Sequence, residues 1–198
     1  MIKKIVIVSV LGTLALTNYA AASTTEVWTS LTIKGKLSNN TSLKIKEEFR
    51  FSNLNDPKLK SQRTEVVIGW KINNIITAIG GYKNTSEGEQ RPYIGAKISL
   101  LKSKLKIDNL TRFELRNFDT FRSRTRVIMS ASVLDMRAFL WEEIFVDQTG
   151  IIGNRLSLGL KHKLNKVFNI GAYYLLNSAK ERLSVHTHIL GITFGISL

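Results

Sequence analysis

No cysteine occurs in the 198 residues, which excludes a disulfide framework, a thiol nucleophile and a thiolate-bound metal. Histidine is scarce too: there are three, so a histidine-built metal cage has few ligands to draw on. Acid is in short supply, with 15 Asp and Glu against 29 Lys and Arg and a formal charge of +14. Only two prolines are present, and no Ser-rich or single-sign tract marks a linker, so the chain reads as one domain. No apolar run reaches the roughly 20 residues a spanning helix needs. No stretch beyond the N-terminus has a convincing helical period.

What is present begins with an address. Lys3 and Lys4 precede an apolar run from Ile5 to Leu16, and Ala20, Ala21 and Ala22 offer a small-residue cleavage site. We expect residues 1–22 to be a secretory signal peptide cut after Ala22, leaving 23–198 as the folded domain. Losing two lysines lowers the net charge only to about +12. Export makes nucleic acid a poor partner for that charge and points to anionic lipid headgroups, polyanions or small anionic solutes.

Most of the mature chain alternates with a period of two, which is strand geometry. In 106–129, Asp108, Arg112, Glu114 and Arg116 share one face and Ile107, Thr111, Phe113 and Leu115 the other; Arg122, Arg124 and Arg126 then continue the charged face. Nine other segments join these two halves, among them those beginning at Glu26, Leu43, Arg63, Ile75, Glu89, Asn154 and Val167 and the closing run to Leu198. In 43–51 Glu47 is the one charge on the apolar face, and in 136–145 both registers are apolar, so the direction of Glu142 and Glu143 stays open.

Connections at 37–40, 73–74, 102–103, 134–135 and 165–166 read as short, and those at 54–61, 84–88, 118–121, 147–153 and 177–183 as mostly longer. Such alternation suits an up-and-down barrel with one end in the periplasm and one outside. The expected fold is therefore all-β: an antiparallel up-and-down transmembrane β-barrel of about ten to twelve strands, a monomer in the bacterial outer membrane. Eleven segments are counted, although single-chain bacterial barrels usually have an even number.

In chain order come a strand carrying Trp28, the EEFRF strand with Glu48 and Arg50, a Gly81-Tyr82 strand, the Arg112-Phe-Glu-Leu-Arg116 core, Trp141-Glu-Glu-Ile-Phe145 and a closing His188-Ile-Leu-Gly strand. Together they resemble the bacterial domain of unknown function 2490, a group of predicted outer-membrane β-barrels. The resemblance covers nearly the whole mature chain. It implies a fold, a location and, as for any such barrel, insertion by the barrel-assembly machinery; it implies no activity, cofactor or catalytic residue.

A barrel in lipid turns its charges inward. That gives an expected lumen network of Lys44, Glu48 and Arg50, then Arg63, Glu65 and Arg91, then Arg112, Glu114 and Arg116, with Arg122, Arg124, Arg126 and Arg155 opposite. In so narrow a bore the glutamates need partners, because an unpaired buried charge is very costly. Arginine-glutamate pairs could fill the bore as a structural brace. An unpaired excess, expected chiefly on Arg122, Arg124 and Arg126, could instead line a narrow path for small anions.

Two further readings draw on other residues. Ser184, His186 and His188 fall on one face near the outer rim, where an outer-membrane lipid hydrolase would need a nucleophile and base; the expectation is nevertheless a protein that is not an enzyme and has no cofactor. Lys58, Lys60 and Arg63 in one connection, with Lys180 and Arg182 in another, lie where lipopolysaccharide phosphates would meet them.

Overall fold

The computed structural model describes residues 24–102, 104–179 and 186–198; the expected signal peptide and its cleavage site at Ala22 lie outside them. Alternating segments become eleven strands: β1 (Thr24–Lys36), β2 (Thr41–Phe51), β3 (Leu59–Lys71), β4 (Ile76–Thr85), β5 (Gln90–Lys102), β6 (Leu105–Arg116), β7 (Thr120–Val133), β8 (Met136–Asp147), β9 (Gly150–Lys163), β10 (Phe168–Ala179) and β11 (His186–Ser197). Each pairs with its sequence neighbours, and β1 meets β11 to close a barrel. An odd number of strands cannot alternate in direction all the way round. The seam resolves this by running β1 parallel to β11, from Thr24 opposite Thr187 to Lys34 opposite Ser197, while every other neighbouring pair is antiparallel.

Burial inverts the pattern of a water-soluble protein. Ile68, Trp70, Ile94, Leu100, Phe113, Ile192 and Phe194 are exposed on the outside, whereas Glu48, Arg50, Glu65, Arg112, Glu114, Arg124 and Glu143 are buried inside. Period-two alternation dictates this, since residues opposed across a strand pair share a face. The pairing also settles β8: Glu143 lies opposite Arg126 and faces inward, so Glu142, opposite Val127, faces out. Glu47 does face outward, and it is satisfied there by Gln62 Nε2 (2.9 Å) and Thr64 Oγ1 (2.8 Å) on β3.

The expected alternation of short and long connections holds only in part. At the end carrying the C-terminus the links span four, four, two, two and four residues, and at the other end seven, four, three, two and six. The link expected at 147–153 shrinks to 148–149 because β8 and β9 remain paired out to Asp147 and Gly150, with a bulge at Phe145/Val146 absorbing the offset. Gly150 makes the tight turn at φ +99°. The one expected at 118–121 becomes a hairpin in which Asn117 and Phe118 both have positive φ and the Asp119 N–H donates to the Arg116 carbonyl (3.0 Å).

One inward glycine fixes how closely two strands approach. A Cβ on Gly95 would run into the Thr111 carbonyl and come within 2.8 Å of Arg112 Cα. Since backbone lies on the other side, the clash cannot be relieved by turning a side chain. Gly95→Ala is expected to destabilise the barrel by about 1 to 3 kcal/mol, read as a lower temperature for loss of the heat-modifiable folded band on a semi-native gel.

Candidate functional site

Inward parity brings charged residues of β2, β3 and β6 to β9 into one belt. Glu114, on β6, accepts from Arg124 Nη1 (2.7 Å) and from Arg122, and forms an ion pair with Arg112, whose Nε is 2.8 Å away. Glu143, on β8, accepts two bonds from Arg124 Nη2 (2.7 and 2.8 Å) and one from Arg126 Nη2 (2.9 Å), with Arg155 Nη1 at 3.7 Å. Arg124 thereby ties the two glutamates together. On the facing wall Glu48 takes Lys46 (2.6 Å) and Arg50 (2.6 Å), and Glu65 takes Lys44 (2.8 Å), Arg112 Nη1 (2.8 Å) and the Tyr93 hydroxyl (3.0 Å). All four glutamates are nearly sealed from water, and all four are satisfied.

Aromatic rings complete the belt by taking the flat faces of the guanidinium groups. Arg50 lies 3.3 Å from the centroid of Trp28 and Arg112 4.6 Å from Tyr93. Phe145 has Arg155 at 4.8 Å and Arg124 at 4.9 Å, and Arg126 stacks on Trp141 at 4.3 Å. Each pairing stabilises a desolvated cation without adding charge. Trp28 also packs with Leu175 and Ile189 in the small apolar core of the barrel, flanked by Trp141 and Tyr173. Its indole N–H donates to Glu26 (2.8 Å), which in turn holds Lys60 (2.6 Å).

At the rim, Glu89 in the 86–89 link is bonded by Arg91 and Arg116. Burial pushes its carboxyl up, but those two hydrogen bonds and charges outweigh it and hold the group at about 2. The clamp is fully present above the usual carboxylate range and is lost only as pH falls through that value.

The structure overturns one expectation. Arg122, Arg124 and Arg126 are not an unpaired excess: Glu114 takes Arg122 and shares Arg124, and Glu143, whose direction the sequence left open, takes Arg126 and the other side of Arg124. Inward cations with no acid within bridging distance, among the described residues, include Arg63 on β3, Lys83 on β4, and Lys34 and Lys161 at the end carrying the C-terminus. Lys34 lies within electrostatic reach of Lys161, Lys44, Lys97 and Lys106, and Asp108 is shared there between Lys97 (3.4 Å) and Lys106 (3.1 Å). Lys83 was not among the residues singled out from sequence; its place two residues from inward Gly81 would have revealed it. Arg63 is a wall residue of β3 and not part of a loop patch, and Lys58 pairs with Asp56 (3.1 Å).

The rim histidines face outward, as their register with Leu190 requires. Ser184, Lys180 and Arg182 lie outside the described residues. His186 Nδ1 instead meets Ser178 Oγ across the strand pair (2.9 Å), and His188 Nδ1 meets the Tyr174 hydroxyl, so each histidine is tied to a different residue of β10. Among the described residues no three His, Asp or Glu side chains converge as a metal site.

The family described as "Protein of unknown function (DUF2490)" matches residues 25–184. No curated protein matches the sequence. Among solved structures, KdgM porin is similar with a TM-score of 0.51 and 16% identity, covering 74% of this chain and 81% of that one. NanC porin is similar with a TM-score of 0.53 and 11% identity, covering 73% and 78%. At such identities the likeness is one of fold: a porin-like β-barrel.

Proposed function

This chain belongs to the DUF2490 family of proteins of unknown function, and from that premise we propose that it is an outer-membrane barrel whose lumen is a narrow path for small anions. The observation that carries the reading is the distribution of unpaired charge. Each inward glutamate of the belt is neutralised by two or more cations, while Arg63, Lys83, Lys34 and Lys161 keep theirs. A bore so lined has a positive potential from one mouth to its middle, which favours anions and repels cations. The apolar exterior supports insertion in lipid. A barrel of this fold, KdgM porin, has been solved in complex with disordered oligogalacturonate, an anionic solute, which is in keeping with the reading.

In this reading the protein is a monomer that is not an enzyme, delivered by its signal peptide and inserted by the barrel-assembly machinery among outer-membrane lipid and lipopolysaccharide. The test is single-channel recording of the refolded mature protein across a salt gradient. Steady anion-selective openings are expected, with the anion preference falling by about half or more when Lys34 and Lys161 are both replaced by Gln. A tight bilayer from correctly folded protein would sink the proposal and leave the belt a structural brace.

A further inference from the structure

We propose that the lumen holds a small oxyanion, of phosphate or sulfate size, bound between Arg63 and Lys83. The inference rests on the same excess of lumen charge as the anion path but concerns a resident site, not conduction. Both cations have been deprived of the acid that the strand register sets beside them. Arg63 lies directly opposite Glu48, yet that carboxylate is occupied by Lys46 (2.6 Å) and Arg50 (2.6 Å). Lys83 lies directly opposite Glu65, which is occupied by Lys44 (2.8 Å), Arg112 (2.8 Å) and the Tyr93 hydroxyl (3.0 Å).

On its other side Lys83 meets Arg91, whose partner is Glu89 at the rim. Lys83 and Arg91 are thus directly opposed, and Arg63, opposite Thr85, is diagonal to Lys83 on the strand to its other side. Like charges opposed across strands are destabilising in themselves. Lys83 lies within electrostatic reach of the cations Arg124 and Arg63 as well as of Glu48 and Glu65, neither of which bridges it, and the Nε groups of Arg63, Arg91 and Arg124 are shielded from water with no hydrogen-bond acceptor.

Buried donors of this kind are rare unless something accepts from them, and an unpaired cation partly withdrawn from water is unfavourable. Arg63 and Lys83 are only partly buried, so the space they face is open to a solute from the lumen. An oxyanion with several acceptor oxygens can take an ammonium and guanidinium edges together. A chloride ion neutralises charge but does not match the planar fork of a guanidinium.

The experiment is thermal unfolding of the full mature barrel in detergent, with inorganic phosphate or with chloride at matched ionic strength and pH. Phosphate is expected to raise the midpoint saturably, by about 5 °C at high occupancy. Lys83→Gln and Arg63→Gln should each abolish that rise, and Lys83→Gln in chloride should melt no lower than the parent because a repelling charge is gone. Lys58→Gln, in an exposed loop, should keep it. Equal midpoints in phosphate and chloride, or a rise that persists in both Gln variants, would overturn the site. Broadening of the phosphorus resonance of phosphate titrated with unsubstituted barrel tests binding without any variant: saturable broadening displaced by sulfate but not by chloride supports the site, and its absence overturns it. A barrel that passes no current can still show the phosphate-specific rise, and a conducting one can lack it, so the two proposals fail separately.

Discussion

Replacing Glu143 by Gln is expected to lower the unfolding midpoint of the barrel by about 10 °C or to prevent refolding. Gln preserves the shape of the side chain and removes only its charge, so packing is nearly unchanged. What changes is that Arg124, held by Glu143 through two bonds (2.7 and 2.8 Å), and Arg126 (2.9 Å) lose their shared anion. Breaking a buried ion pair by removing one partner typically costs about 3 to 5 kcal/mol because the other charge is left uncompensated, and about 2 to 4 °C accompany each kcal/mol in a chain of this size.

The neighbouring residue provides the contrast. Glu142 faces the apolar exterior, where a carboxylate is a burden and not a brace, so Glu142→Gln should melt at or slightly above the parent. Two adjacent glutamates thus have substitutions of opposite sign. If Glu143→Gln melted like the parent, water in the bore would be solvating the arginines, and the belt could not be what holds the walls together.

This pair also shows where the sequence stops being informative. Parity is local, so wherever one face was clearly apolar the direction of every charge was legible. In β6, for instance, Asp108, Arg112, Glu114 and Arg116 fall opposite Phe113 and Leu115, and the structure has that face inward. In β8 the inward face is itself partly aromatic, because Trp141 and Phe145 serve as stacking surfaces for Arg126, Arg124 and Arg155. Apolar residues then occupy both registers and the parity signal cancels.

The choice of partners was less legible still. Which glutamate holds which arginine depends on register between strands far apart in sequence, such as Glu65 with Arg112. One acid missing from the sequence reading, Glu143, takes up Arg126 and half of Arg124, Glu114 takes up Arg122, and Arg63 and Lys83 are left without a bridging acid. Strand number was readable because eleven alternating runs are present. That the seam would be parallel is a closure condition of the whole barrel, and no single segment carries it.

The second large effect concerns the bore itself. Trp28→Ala is expected to raise single-channel conductance several-fold while costing about 3 to 5 kcal/mol of stability, the usual range for emptying the site of a large buried ring. Trp28 lies on β1 at the seam, packed against Leu175 and Ile189, and its ring is the surface on which Arg50 rests at 3.3 Å, with Arg155 at 5.6 Å. It is therefore the element that joins the small apolar core on one side of the lumen to the arginine belt on the other. Removing it leaves a gap bounded by two guanidinium groups, which is polar enough to fill with water. The widened path should also be more anion-selective, since Arg50 loses its stacking partner and turns toward the opening, whereas Arg155 keeps Phe145. Trp28→Phe, which keeps a ring for Arg50, should restore most of the stability and most of the restriction. Unchanged current in a folded Trp28→Ala barrel would mean that the constriction lies elsewhere, among Glu114, Arg124 and Glu143, and that the path to be widened runs through the salt bridges themselves.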